Sequence, residues 1–296
     1  MDRVATLTDR QAREIEYHRH HAAAQRTAVV ERRLSLAIIR DAARRPWNAY
    51  WSLYDRLRAW GVEGRRVLVA GCGFGDDAIL LSLMGAEVSA NDISPESVDI
   101  ALRRAARHGA AFDARVMPIE QLDYPDDHFD AVVFIDILHH VDIPAAMAEV
   151  RRVLRPGAMI FGDELYTHSW LQAVRESRPV VRVLYPAMQR FIYGTDKPYI
   201  TPDEHKIDEA ELRVVLDHLA APRVTWFNAA VGRVVPERWQ WAARGDRAAM
   251  QAVGKSGRYV AGRILFDGAL RKCTAASPSG GADRPADRAR STAALV

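Results

Sequence analysis

Apolar positions along this chain follow two periods. Short β-branched or apolar runs at 66–70, 86–91, 113–117, 130–135 and 158–163 alternate with stretches near 76–84, 95–107 and 144–154, where apolar residues recur every three or four positions. The first pattern predicts strands and the second helices. Their alternation predicts parallel strands joined by right-handed crossovers, with a ligand crevice at the strands' C-terminal ends. Gly71, Asp92, Asp136 and Asp163 fall at those ends and are expected to face one crevice. Pro95 suits the first turn of the second helix, where its missing N–H costs nothing, and Ser94 before it is placed to cap.

The flanks are helical in pattern. Ile15, Ala22, Val29, Val30, Leu34, Leu36, Ile38 and Ile39 fit one or two amphipathic helices within residues 9–45, and 46–51 interrupts them before a helix at 53–60. Residues 1–60 are therefore expected to form a helical cap, and 61–272 the main domain. A helical insertion at 165–222 carries Pro179 and Pro186, which exclude one straight helix. It reads as a lid over an acceptor site, a packed helical pair or a membrane-surface helix. A helix is expected over 208–220, a strand over 223–227, and a strand or a helix over 259–270. The tail, 273–296, is Ala, Ser, Pro, Gly and Arg with almost nothing to bury, which predicts disorder.

The first strand, Val67-Leu68-Val69-Ala70, breaks into Gly71-Cys72-Gly73-Phe74-Gly75. Gly71 and Gly73 allow close approach of a ligand to bare backbone, and Gly75 lets the helix start near the strand. The second strand ends in Asp92, about twenty residues on, where a carboxylate can accept from ribose hydroxyls. Asp76 and Asp77 place two carboxylates in the first helical turn, which complements the helix dipole and repels a pyrophosphate. Dinucleotides are therefore disfavoured.

These residues, with Asn91-Asp92-Ile93-Ser94-Pro95-Glu96, resemble the first two motifs of class I S-adenosylmethionine-dependent methyltransferases. Asp126 to Ile135, Leu138-His139-His140-Val141-Asp142 and Arg152-Val153-Leu154-Arg155-Pro156-Gly157 resemble that family's fourth strand, its exit loop and the turn before the fifth strand. The branch most similar acts on small molecules, as quinone-biosynthesis methyltransferases do, and the resemblance covers roughly residues 60 to 165. It implies an α/β Rossmann-like sheet of seven strands, mostly parallel and closing in an antiparallel hairpin. It implies S-adenosyl-L-methionine as cofactor, with Asp92 on the ribose, Ile93 on the adenine, and Gly71, Cys72, Gly73 and Gly75 along the methionine part. Asp136 follows the fourth strand beside it. Where the family often has an acid meeting the adenine amino group, this chain has Pro118, so Ile119 backbone or Glu120 is expected to take that contact. Tyr17 closing over the methionine end is carried from the resemblance alone.

Composition narrows the partners. The 296 residues carry a net charge of +3, and Lys197, Lys206, Lys255 and Lys272 are the only lysines among 41 basic residues. The arginines are dispersed among acids, and the fourth strand ends Phe134-Ile135-Asp136-Ile137-Leu138 rather than in an Asn/Asp-Pro-Pro-Tyr/Phe motif, so no nucleic-acid partner is expected. Cys72 and Cys273 are too few for a disulfide framework. With no signal-like start and no apolar run long enough to span a bilayer, a soluble cytoplasmic protein is expected, with a small-molecule acceptor as partner.

Methyl transfer to a hydroxyl gains from a general base. His139 and His140 are the first candidates, with His168, Tyr166, Glu164 and His205 behind them; a proximity-only enzyme needs none. Trp47, Tyr50, Trp51, Trp170, Tyr185 and Tyr193 are candidates for an aromatic acceptor pocket or for core. His18 and His21 lie one helical turn apart without carboxylate or thiol partners, and no metal site is expected. Oxygen methylation of a partly apolar metabolite is the leading reading. N- or C-methylation, a cofactor-binding protein that transfers no methyl (a cyclase or partner subunit), and a peripheral membrane enzyme are the alternatives.

Overall fold

The computed structural model describes residues 8–16, 19, 30–31, 33–40, 45, 47–167, 177–184, 190–192 and 206–271. Seven strands, β1 (Arg66–Ala70), β2 (Glu87–Asp92), β3 (Phe112–Val116), β4 (Phe129–Ile135), β5 (Leu154–Leu165), β6 (Leu219–Phe227) and β7 (Arg263–Leu270), form one sheet in the order β3-β2-β1-β4-β5-β7-β6. The first five pair in parallel, and β7 runs antiparallel between β5 and β6. Around the sheet lie α1 (Ala49–Trp60), α2 (Asp76–Leu83), α3 (Pro95–His108), α4 (Ile143–Val153), α5 (Glu209–Asp217) and α6 (Gln240–Val253). The strand order reverses between β1 and β4, which opens a crevice at their C-terminal ends.

Both faces of β1 are buried, so its sequence is a continuous apolar run. Leu68 and Ala70 join Phe134, Ile160 and Phe266 in one core layer, while Val67 and Val69 join Ala131, Val133, Phe161 and Leu265 in the other. This two-residue alternation divides the apolar side chains between the layers. Ser94 Oγ accepts from the Ser97 amide at 3.1 Å, with Pro95 in the first turn of α3.

Several boundaries differ from the sequence expectations. The helix expected from Leu53 begins at Ala49, because Asn48 Oδ1 caps it by accepting from the Tyr50 amide at 2.8 Å. The helix expected to reach Ala220 ends at Asp217, because Leu219 and Ala220 pair with Leu270 and Ala269. Residues 219–222 thus belong to β6 and not to the insertion. Residues 254–259 form a 3₁₀ segment before β7, which gives the stretch at 259–270 its strand. Helix α6 has no counterpart among the expected elements. The chain that leaves the sheet after β5 returns beside it where Ile207 bridges Tyr166. Tyr17, His18, His21, His168, Trp170, Tyr185, Tyr193, His205 and the 273–296 tail lie outside the described residues. Among the described residues, no helix is long and apolar enough to cross a membrane.

Candidate functional site

A cavity of about 450 Å³ lies at the C-terminal ends of β1, β2 and β4, a size suited to a small ligand. Gly71, Cys72 and Gly73 form one wall, with Asp77 from the first turn of α2. Asn91, Asp92 and Ile93 continue from β2, Met117 to Glu120 follow β3, and Asp136, Ile137, His139, His140 and Val141 follow β4. Gln11 and Glu14 complete the lining from the helical residues 9–16. That helix is fastened to the loop after β4: Arg10 Nη2 donates to the His139 carbonyl at 2.7 Å, and Glu14 Oε1 lies 3.2 Å from His140 Nδ1.

The glycine turn divides its labour. A Cβ on Gly71 would meet Ile137 Cδ1 at 2.4 Å, so the turn packs against the β4 exit loop only because the first position is bare. Gly75, expected at the cofactor, is not among the described residues that line the cavity. Its Cβ would lie 2.8 Å from Ala101 Cβ, and its work is to let α2 start against α3. Cys72 is buried, and burial followed by the charge of Asp92 pushes its thiol well above the ordinary range, which leaves it a wall and not a nucleophile.

Asp92 is 6% exposed. Its Oδ2 accepts from the Gly73 amide at 2.8 Å and its Oδ1 from the Ser94 amide at 2.9 Å, so the carboxylate braces the turn while lining the cavity. Ile93, Met117 and Ile119 give an apolar wall suited to a purine face. Glu120 Oε1 accepts from the Asp142 amide at 3.0 Å, which ties the loop after β3 to the start of α4. Asn91 Nδ2 donates to the Met117 carbonyl, while its buried Oδ1 has no hydrogen-bond partner. An orphaned acceptor in the wall, a carboxylate and an apolar slot fit a nucleoside cofactor.

His139 occupies the 3₁₀ turn Leu138–His140 and is 2% exposed. Its Nδ1 lies 3.0 Å from Oε2 of the fully buried Glu164. Glu164 Oε1 accepts from the amides of Ile137 and Leu138, both at 2.8 Å. Those amides leave the carboxylate as acceptor toward His139. With Nδ1–H donating to Glu164, Nε2 is the acceptor nitrogen of the ring. Glu164, a lesser candidate in the sequence, is the partner of His139 Nδ1; Tyr166, of equal standing there, donates its hydroxyl to Glu209 and is not among the residues that line the cavity.

Asp136 also lines the cavity, in a left-handed backbone conformation with φ 51°. Arg263 Nη2 donates to it at 2.7 Å, while Arg263 Nε donates to Asp163 at 2.9 Å. Asp163 does not face the cavity as expected, because β5 runs on to Leu165 and Asp163 sits mid-strand opposite Leu265. Burial pushes its carboxyl up to about 7, with Asp136 and Glu164 adding to the shift and Arg263 opposing it. An acid whose folded-state pKa is raised binds more protons folded than unfolded, so its contribution to stability falls as pH rises from about 4 to about 7. In thermal melts, Asp163→Asn is expected to gain on the wild type across that window, whatever the constant offset between the two.

Ligand-bearing atoms of Asp136, His139 and Glu164 lie within 4.8 Å of one another. Arg263, two backbone amides and the imidazole already engage the two carboxylates. The aromatic pocket is not assembled by the described residues. Trp47 packs with Val231 and Ala243, Trp51 packs against the core layer of Val67, and Tyr50 donates to Asp77. The sequence reading missed Glu14, Gln11 and Asn91 as wall residues. Only Asn91, next to Asp92, carried a positional signal.

Residues 68–162 match the sequence model of the family described as Methyltransferase domain. A Ubiquinone biosynthesis O-methyltransferase of Methylocella silvestris is 34% identical over 131 residues, 44% of this chain and 51% of that protein. The chain thus spans about half the length of that curated relative. Among solved structures, geranyl diphosphate C-methyltransferase from Streptomyces coelicolor A3(2) matches with a TM-score of 0.56 at 15% identity, over 90% of this chain and 100% of that one. Magnesium protoporphyrin IX methyltransferase from Synechocystis PCC 6803 matches with a TM-score of 0.53 at 15% identity, over 89% and 100%.

Proposed function

From a methyltransferase domain at residues 68–162, carried on the Rossmann-like fold of class I S-adenosylmethionine-dependent methyltransferases, we propose that this protein transfers a methyl group from S-adenosyl-L-methionine to a hydroxyl oxygen of a small, partly apolar acceptor. The observation that carries this reading is the buried Glu164–His139 pair, of which His139 lines the cavity that begins at the glycine turn.

Asp92 holds the ribose hydroxyls, Ile93 and Ile119 flank the adenine, and Gly71 to Gly73 run along the methionine part. The cofactor supplies an electrophilic methyl carbon on a positively charged sulfur. His139 Nε2 would accept the acceptor's hydroxyl proton as the methyl group passes to that oxygen, with the bonding electron pair left on sulfur as a neutral thioether. No proton need be given to the leaving group. Glu164 keeps the imidazole in the tautomer that presents Nε2 and stabilises the imidazolium that forms. The helix at 9–16, through Gln11 and Glu14, narrows access of water to this chemistry.

The relative of Methylocella silvestris bears the name of a ubiquinone-pathway O-methyltransferase, and this makes catechols and phenols with an apolar substituent the first acceptors to try. Incubation with labelled cofactor and such acceptors is expected to give an O-methyl ether and S-adenosylhomocysteine in equal amounts. A product methylated on carbon or nitrogen replaces the oxygen reading. Cofactor binding without any S-adenosylhomocysteine, across phenolic, amine and carbon acids, points instead to a protein that uses the cofactor as structure.

A further inference from the structure

We propose that Asp77, held in place by Tyr50 and Tyr54, is the anionic contact for the ammonium group at the amino-acid end of the cofactor. The inference rests on the cofactor reading above and extends it to a residue outside the glycine turn. Asp77 lines the cavity beside Gly73. Two phenolic hydroxyls converge on one of its oxygens, Tyr50 at 2.9 Å and Tyr54 at 2.7 Å, both onto Oδ1.

A helix-dipole role for Asp77 requires neither tyrosine. Asp76 supplies a carboxylate to the same first turn and is paired with the buried Arg104. Tyr54 is fully buried, and burial, followed by the charge of Asp77, pushes its hydroxyl well above the ordinary phenol range. It is therefore a permanent donor, and donation to the ionised form of a carboxylate favours that form. The two hydroxyls thus hold the Asp77 carboxyl in a set position in the cavity wall.

The layout supplies its partner. With the purine between Ile93 and Ile119 and the ribose on Asp92, the substituent at the ribose 5′ carbon leads away from the apolar wall, past Gly71 to Gly73, toward α2. Among the described residues that line the cavity, the carboxyl side chains are those of Glu14, Asp77, Asp92, Glu120 and Asp136. An ammonium group suits this wall, and Asp77 is the acid on the α2 side.

The test is calorimetric binding of three ligands to the full chain and to Asp77→Asn: S-adenosylmethionine, S-adenosylhomocysteine, and 5′-deoxy-5′-methylthioadenosine, which lacks the amino-acid group. Loss of one charge-assisted contact is expected to weaken the first two about tenfold each and to leave the third unchanged. Unchanged affinity for the first two overturns the proposal. Equal weakening of all three also overturns it, since that is the mark of a disturbed glycine turn. Tyr50→Phe, which keeps the carboxylate and the Tyr54 bond, is expected to give the same selective pattern at a few-fold; no change, or a loss for all three ligands, overturns the positioning role of Tyr50. A wild type that binds none of the three sinks the cofactor reading itself and not this refinement of it.

Discussion

His139→Ala is expected to slow methylation of a hydroxyl acceptor by about a hundredfold to ten-thousandfold, the usual contribution of a positioned general base, while cofactor affinity stays at the wild-type value. The separation follows from the geometry. His139 is joined to Glu164 and, through its carbonyl, to Arg10, whereas the glycine turn is braced by Asp92. Glu164→Gln probes the orienting role. An amide can present its N–H to Nδ1 and favour the tautomer with the proton on Nε2, so turnover should fall with little change in KM. The pH profile should also change in its acidic limb, where the base must lose its proton. Steady-state rates from pH 5 to 9 for both variants measure this, and wild-type turnover in His139→Ala would leave proximity alone to account for catalysis.

Asp92→Ala is expected to weaken S-adenosylmethionine by roughly 1.5–3 kcal/mol, about ten- to a hundredfold or more in affinity. Two effects add. The ribose loses a charged acceptor, and the amides of Gly73 and Ser94 lose the carboxylate that holds the turn and the start of α3. Titration calorimetry reads the loss. Asp92→Asn separates the parts, because its single carbonyl oxygen keeps at most one of the two amide bonds and carries no charge. Binding in Asp92→Ala equal to that of the wild type would remove Asp92 from the cofactor site.

Local signals made the first half of this fold readable. The run from Val67 to Gly75 announces a buried strand and a turn without side chains, and Ser94-Pro95 announces a helix start; both are decided by residues adjacent in sequence. The start of α1 lies inside the stretch 46–51, where Pro46 marks an interruption in the sequence, and the Asn48 cap acts only once the Tyr50 amide is in place to donate to it. The end of α5 and the start of β6 were invisible for a different reason. Ala220 prefers helix locally, and only its pairing with Ala269, some fifty residues away, makes it sheet. The site divides in the same way. Asp92 and the glycines sit at fixed offsets from a strand, whereas Glu14, more than a hundred residues from His140, carried no local mark of its place in the wall.

The position of β7 has a consequence for how the chain becomes a protein. The strand that enters the sheet between β5 and β6 is made after both, and it carries Arg263, the counter-ion of Asp136 in the cavity wall. During synthesis, β5 must wait for about a hundred residues to follow it before its free edge is covered. Until then that edge, with Phe161 and Ile160, can recruit any passing strand. Nascent chains halted before Arg263 should therefore be the ones that chaperones hold, and their release should coincide with emergence of β7 from the ribosome.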